Sequence, residues 1–321
     1  MEHFGITVGD PCGIGPEITL KALKAHPEYQ DQAILFGPLS VLEHYNKALG
    51  YGFSFHVIEQ DEKPREHVVN VIDPAPCDFS EIRVGEVSEL GGKIAFLSVK
   101  AAIDAALEKR ITAVVTGPLN KEALHLAGYE YAGHTEIFAE FAHGPSYAML
   151  LWSDHLKVIH VSTHVSMRKA CDLCTKARVE EVIALAHKTM RRVGYERPRI
   201  AVAGLNPHAG ESGIFGDEEI REIMPAIEAS REKGMDVFGP ISPDTVFLKG
   251  LEGSYDIIVA QYHDQGHIPL KLLAFDSGVN ITVGLTVTRT SVDHGTAFDI
   301  AGKLVASEAS LLKAIEIAKR L

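Results

Sequence analysis

The feature that most constrains this chain is the alternation of short apolar, β-branched runs with longer amphipathic segments. That alternation is the pattern of an α/β sheet that is at least partly parallel. The run 4–8 stops at Gly9-Asp10-Pro11-Cys12-Gly13-Ile14-Gly15. A helix then starts with Pro16 in its first turn, where a missing N–H costs little. Residues 33–36, 68–72 and 111–115 read as strands, with an amphipathic helix over about 92–109 between the last two. Runs 147–152 and 156–162 flank Ser153-Asp154-His155 and predict a β-hairpin or arm. Runs 199–204 and 256–261 are further strands. The expected fold class is α/β, a doubly wound sheet in two lobes around a cleft. One lobe takes 1–128 plus 289–321 and the other 129–288.

Composition narrows the function classes. No stretch reaches roughly 18 uninterrupted apolar residues, so no membrane span is expected. Met1-Glu-His-Phe-Gly5 has no basic segment leading into an apolar run, so no signal peptide is expected. With four cysteines the chain reads as cytoplasmic, without a disulfide framework. A net charge of −12 argues against nucleic acid as a partner. A few local cations can still bind one phosphate.

Among 16 histidines, three share an unusual position. His164, His208 and His263 each follow the carboxyl end of a predicted strand, where open α/β sheets gather ligand groups. Three imidazoles converging there, with positions left open, suit a catalytic divalent cation of Zn, Mg or Co type. Three unrelated loop histidines are the competing reading. Asp264 directly follows His263, and Asp244 lies in Ser242-Pro-Asp-Thr245. Either carboxylate can orient an imidazole, neutralise a metal or take a proton, or simply cap a turn or helix.

Anion signals lie elsewhere. Gly13-Ile-Gly15 is not a Rossmann fingerprint, because Ile18 stands where the third glycine belongs; a tight turn explains it equally well. Lys121 in Thr116-Gly-Pro-Leu-Asn-Lys121 faces either an anion or solvent. Asp264, Asp244 and Lys121 are the catalytic candidates. Lys271, Asn280 and Arg289 fall among apolar strand-like residues, and buried cations need an anionic partner. A phosphate supplies one, and so does a salt bridge to Asp or Glu. His134 and Thr135 follow Gly133, and a helix N-cap is the other use for Thr135. The Cys171-Asp-Leu-Cys174 pair stands alone and reads as two small apolar residues near one helix face.

Taken together, six blocks resemble the 4-hydroxythreonine-4-phosphate dehydrogenase family: Gly9-Asp-Pro-Cys-Gly-Ile-Gly-Pro-Glu17, Thr116-Gly-Pro-Leu-Asn-Lys121, Gly133-His-Thr-Glu136, Asn206-Pro-His-Ala-Gly210, Tyr262-His-Asp-Gln-Gly266 and Arg289-Thr-Ser-Val-Asp-His-Gly-Thr296. They run in the family's order through nearly the whole chain. The resemblance implies the isocitrate and isopropylmalate dehydrogenase fold, and a homodimer whose metal site takes histidines from both protomers. It implies His164, His208 and His263 as metal ligands, and His134, Thr135, Lys271, Asn280 and Arg289 as substrate contacts. The segment Asp293-His-Gly-Thr-Ala-Phe-Asp-Ile-Ala-Gly302 is similar to the adenine-side loop of isocitrate dehydrogenases, which implies Asp293, His294, Gly295 and Thr296 as cofactor contacts. It implies NAD or NADP as cofactor, with Gly13 and Gly15 in the same cofactor region.

The implied reaction is metal-dependent oxidation and decarboxylation of a small 4-phosphorylated 3-hydroxy acid. Residues 122–128 and 266–273 look more like the subgroup taking 4-phospho-D-threonate or D-erythronate. The alternative is the 4-hydroxy-L-threonine 4-phosphate activity of pyridoxal phosphate synthesis. A metal-dependent phosphohydrolase or a phosphometabolite sensor is the reading from another class. Cys12 stands where the family carries a small residue such as Ala, which predicts a thiol near the cofactor loop and sensitivity to oxidation.

Overall fold

A computed structural model of the chain describes residues 2–59, 62–142, 144, 146–274 and 278–321. The strands among them are β1 Phe4–Thr7, β2 Ala33–Phe36, β3 Phe55–Val57, β4 Val69–Ile72, β5 Ala113–Thr116, β6 Ala148–Trp152, β7 Lys157–His160, β8 Ile200–Ala203, β9 Val237–Ile241, β10 Ile257–Ala260, β11 Val279–Val283 and β12 Thr288–Val292. The chain divides into two units, Met1–Gly144 with Leu285–Lys319, and Pro145–Gly284 with Arg320–Leu321. The division thus falls at 144/145 and 284/285, against the expected 128/129 and 288/289.

The first unit holds strands in the order β3-β4-β2-β1-β5-β12, every pair parallel. Every residue of β1, β2 and β5 is buried, as expected of parallel strands covered on both faces. The helix Glu89–Leu107 packs on β1, β2 and β5, and the helix Ala309–Ala318 on β5 and β12. The first is started by Ser88, whose hydroxyl accepts from the Gly91 N–H at 3.0 Å. It begins three residues ahead of the expected 92, because Glu89 and Leu90 complete the turn that Ser88 caps. Its Phe96, Val99 and Ile103 lie in the core with Val114 of β5.

The second unit holds the order β11-β6-β7-β10-β8-β9. Here β11, β6 and β7 pair antiparallel and β7, β10, β8 and β9 pair parallel. The hairpin expected at Ser153 is present: its N–H and hydroxyl both bond to the Leu156 carbonyl, at 2.9 and 3.0 Å. Val158, Ala201, Ala203, Ile258 and Leu270 form the core. The ends of β7, β10 and β8 are neighbours, so the segments following them leave the same edge of the sheet. Lys271 belongs to the helix His263–Ala274 rather than to a strand, since the apolar residues around it repeat at helical spacing. No helix among the described residues is long and apolar enough to cross a membrane.

Candidate active site

In the first unit, polar side chains collect at the end of β5, near the start of β12 and at the start of the helix His134–Phe141. Arg289, on β12, is 3% exposed. Its Nε and one terminal nitrogen donate to the Thr116 hydroxyl at 3.4 and 3.2 Å, and the other terminal nitrogen to the Thr135 hydroxyl at 3.4 Å. The guanidinium also lies 5.6 Å from the centre of the Phe138 ring. Burial pushes its pKa down to about 10, against the opposing pull of Glu136. His134 is half-buried, yet its Nε2 is shut off from solvent and makes no hydrogen bond. Burial, then the Arg289 charge, holds this imidazole well below its usual range, so it is neutral at pH 7. Gly133, not Thr135, occupies the helix N-cap, which leaves the Thr135 hydroxyl for Arg289. Lys121 is exposed as the first residue of the helix Lys121–Leu126, and Asn120 caps that helix.

The glycine turn after β1 packs on the segment after β12. The Ile14 N–H donates to the Thr296 carbonyl at 3.0 Å, and a Cβ on Gly13 would sit 2.7 Å from that same oxygen. A Cβ on Gly15 would sit 1.9 Å from the Val8 carbonyl. Close backbone packing therefore accounts for both glycines, as the tight-turn reading holds. Beyond this contact, the Asp293 N–H donates to Ser310 at 3.3 Å. His294 Nδ1 lies 3.0 Å from the Gly295 carbonyl.

Asp10 in the same turn was not legible as a site residue, because Gly9-Asp10-Pro11 reads as an ordinary turn. It is fully buried, with one oxygen accepting from the Cys12 N–H at 2.9 Å and the other unpaired. Desolvation pushes its pKa up to about 6. The expected oxidation sensitivity of Cys12 meets a physical objection. The thiol is fully buried, lies 3.3 Å from the Ser88 hydroxyl, and burial pushes its pKa up to about 11. A buried thiol without thiolate character is inert.

The three strand-end histidines all lie in the second unit. The His164 and His263 rings lie 5.6 Å apart, centre to centre. His263 opens its helix, and its Nδ1 lies 2.7 Å from an Asp264 oxygen, which leaves Nε2 as the donor for a ligand. The ring of His267, one turn on, stacks on it at 3.6 Å. His208 lies with Nδ1 3.8 Å from Asp244, whose other oxygen accepts from Ser242 at 2.5 Å. Among the described residues of one chain, no group of three His, Cys, Asp or Glu side chains is placed to hold a metal ion. Two imidazoles facing one another, one of them backed by a carboxylate, nonetheless fit part of a nitrogen-donor set for a Zn- or Co-type cation. Asn280 on β11 keeps a buried side-chain oxygen without a partner.

His208 is presented by unusual backbone. Residues 208–212 all have φ between 41° and 79°. Each non-glycine residue there costs on the order of 1 kcal/mol. Glu219, almost fully buried, offsets that strain. Its carboxylate accepts from the N–H groups of Leu205 and Asn206, both at 2.7 Å, and from the Asn206 amide at 2.9 Å. Hydrogen bonds to a charged group contribute roughly 1.5–3 kcal/mol each. In the sequence Glu219 is one of three consecutive acidic residues and reads as solvated surface. Cys171 is exposed on the helix Met167–Leu173, while buried Cys174 donates to Gln261.

Residues 29–318 match the family described as Pyridoxal phosphate biosynthetic protein PdxA. The D-threonate 4-phosphate dehydrogenase of Salmonella typhimurium is 50% identical over 319 residues, 98% of either chain. The chain belongs to the PdxA family. A 4-hydroxythreonine-4-phosphate dehydrogenase of Beijerinckia indica is 44% identical over 325 residues, 100% of this chain and 96% of its own. The crystal structure of 4-hydroxythreonine-4-phosphate dehydrogenase from Klebsiella pneumoniae superposes with a TM-score of 0.86, at 47% identity over 99% of each chain. As a PdxA-family member the chain is an NAD(P)-dependent dehydrogenase, which sets aside the phosphohydrolase and sensor readings. Isocitrate dehydrogenase from Methylococcus capsulatus shares the fold alone, with a TM-score of 0.52 and 15% identity over 99% of this chain and 85% of its own.

Proposed function

We propose that this PdxA-family enzyme oxidises and decarboxylates a 4-phosphorylated four-carbon 3-hydroxy acid, with 4-phospho-D-threonate or D-erythronate as substrate. The observation that carries the reading is the buried, charged Arg289 beside neutral His134 and two threonine hydroxyls. A guanidinium so desolvated suits a phosphate, which it can grip with two parallel bonds. The D-threonate branch is supported by the 50% identity to the Salmonella enzyme, against 47% and 44% for the 4-hydroxythreonine-4-phosphate dehydrogenases of Klebsiella and Beijerinckia.

In this reading Arg289, Thr135 and His134 bind the substrate, and Lys271 and Asn280 are further substrate contacts. Gripping the phosphate fixes the reacting carbon by a contact remote from the chemistry. His134, being neutral, is free to donate or accept one hydrogen bond at the substrate. The loop 293–296 and the turn at Gly13 and Gly15 hold NAD or NADP, and Lys121, whose side chain passes beside Gly133, serves as a further catalytic candidate. His164, His208 and His263 hold the divalent cation, and imidazole donors favour Zn or Co over Mg. When bound, the cation supplies positive charge at the substrate hydroxyl and the nicotinamide supplies a hydride acceptor. Asp264 keeps the His263 ring in one orientation, and Asp264 or Asp244 receives the hydroxyl proton.

The cation site is shared between two copies of the chain. Each candidate ligand has exposed apolar neighbours: Val165 and Met167 by His164, Ile214 and Phe215 by His208, Ile268 and Leu272 near His263. Apolar surface concentrated this way marks an interaction face.

The test is NADH or NADPH formation, followed by its near-ultraviolet absorbance, with each candidate substrate and divalent metal in parallel. Turnover of 4-phospho-D-threonate or D-erythronate is the expected result. Turnover of 4-hydroxy-L-threonine 4-phosphate alone assigns the vitamin branch instead. Silence with every combination rejects the proposed reaction.

A further inference from the structure

Below the three histidines lies a set of buried amides that the proposed chemistry does not use. Gln261 follows β10 and is fully buried. Its side-chain nitrogen donates to the Ala203 carbonyl at the end of β8, at 2.7 Å. Its side-chain oxygen accepts from the Cys174 thiol at 3.4 Å, and its backbone carbonyl accepts from the Ser162 hydroxyl at 2.9 Å. Gln265 lies one helical turn on. Its oxygen accepts from the Gln261 N–H at 2.7 Å and its nitrogen donates to the Gly204 carbonyl at 2.8 Å. Turning either amide over would set an oxygen against a carbonyl oxygen, so the network itself fixes both orientations.

These bonds meet the chain just before each candidate ligand. Ser162 is two residues ahead of His164, and Gln261 two ahead of His263. Gly204 is four ahead of His208, and Leu205 and Asn206, between them, are gripped by Glu219. Backbone pairing already aligns β7, β10 and β8, but it ends at Ala260 and Ala203. Past that point the side chains of Gln265, Gln261 and Glu219 continue the bracing where the ladder no longer reaches. Their burial matters, because a hydrogen bond shut off from water holds geometry more firmly than an exposed one.

We propose that Gln265, acting with Gln261 and Glu219, is a positioning residue that sets the spacing between the His208 segment and the His263 helix. Metal affinity then depends on an amide that touches no metal. This rests on the reading of the three histidines as metal ligands. It extends that reading inward, since a site assembled from two copies needs each copy to present its ligands at a fixed separation.

The experiment titrates Co(II) into the metal-stripped full-length protein, by calorimetry and by the visible Co(II) spectrum. Wild type, Gln265→Leu, Gln265→Glu, His208→Ala and His263→Ala are compared. Thermal unfolding and NAD affinity are measured on each variant. Removing an outer partner of a metal ligand typically weakens binding about 10–100-fold. That loss is expected in Gln265→Leu, with an altered Co(II) spectrum and NAD affinity kept, which a general loss of folding would not spare. Gln265→Glu is nearly isosteric, keeps the acceptor toward Gln261 and loses the donor toward Gly204; it supplies the same reading if the leucine variant does not fold. A Co(II) affinity within about twofold of wild type in a folded Gln265 variant, with both histidine variants impaired, overturns the positioning role. Wild-type affinity in the two histidine variants overturns the metal assignment and this inference with it.

Discussion

Arg289→Met separates folding from function, because the two should move in opposite directions. Burial lowers the Arg289 pKa from its usual value to about 10. At about 1.4 kcal/mol per tenfold, holding the charged form there costs folding roughly 3 kcal/mol. The sign follows from linkage: the cost is present in full below the folded pKa and is relieved as pH rises above about 10. Its bonds to the Thr116 and Thr135 hydroxyls are long, 3.2 to 3.4 Å, so these contacts contribute little against that cost. Replacing a buried ion by an apolar side chain of similar volume is often neutral or stabilising. The apoprotein Tm of Arg289→Met is therefore expected to equal or exceed that of wild type. Function moves the other way. Two charge-assisted bonds to a substrate phosphate, at about 1.5 kcal/mol each, total about 3 kcal/mol, or roughly 150-fold in kcat/KM. Arg289→Lys keeps the charge and loses the paired geometry, for a loss of about tenfold. The assays are steady-state kinetics with 4-phospho-D-threonate and thermal unfolding with and without inorganic phosphate. A variant with a lower Tm and unchanged kcat/KM refutes the reasoning.

Three further outcomes are expected. Asp10→Asn keeps the acceptor toward Cys12 and removes a buried carboxylate whose pKa is raised to about 6. The cost of that carboxylate is full above pH 6 and vanishes as pH falls toward 4, so the variant should gain up to roughly 3 kcal/mol at pH 8 and little at pH 4. Urea unfolding of the two proteins gives the answer, and a difference that does not vary with pH rejects it. Gly13→Ala pushes a methyl to 2.7 Å from the Thr296 carbonyl and displaces the loop proposed to hold the dinucleotide. At an overpacking cost of about 1–3 kcal/mol, it should weaken NAD binding at least fivefold while leaving Co(II) affinity unchanged. Iodoacetamide on the native protein should label exposed Cys171 well before Cys12 and leave turnover intact; peptide mapping that finds Cys12 modified first contradicts the burial argument.

What the sequence disclosed and what it withheld divide along a physical line. His164, His208 and His263 stood out because each ends a compact apolar run, and strand ends in α/β sheets are local features. The glycine turn at 13–15 was legible for the same reason, although its use as a backbone contact with Thr296 was not. Asp10, Glu219, Gln261 and Gln265 were missed because their importance lies in burial, which arises from partners distant in the chain. Nothing local marks residues 208–212 as left-handed: His, Ala, Glu and Ser all prefer other conformations, and the acceptor that holds Leu205 and Asn206 just before the turn comes several residues later. Lys271 was misplaced in a strand context because short apolar stretches fit helix and strand periods alike.

The first unit is discontinuous: β12, which pairs with β5, and the helix Ala309–Ala318 come after residues Pro145–Gly284 of the second unit. Glu17 and Lys21 in the first helix wait for the same late arrivals. Glu17 accepts from the Ala306 N–H at 2.8 Å, and Lys21 donates to the carbonyls of Leu304 and Ala306. During synthesis the ribosome must therefore deliver the second unit complete before the first can close. Until then β5 carries an open parallel edge of Ala113, Val114, Val115 and Thr116, the kind of unpaired strand that recruits other chains. A chain stopped before residue 288 would contain every candidate metal ligand and still lack the strand that pairs with β5.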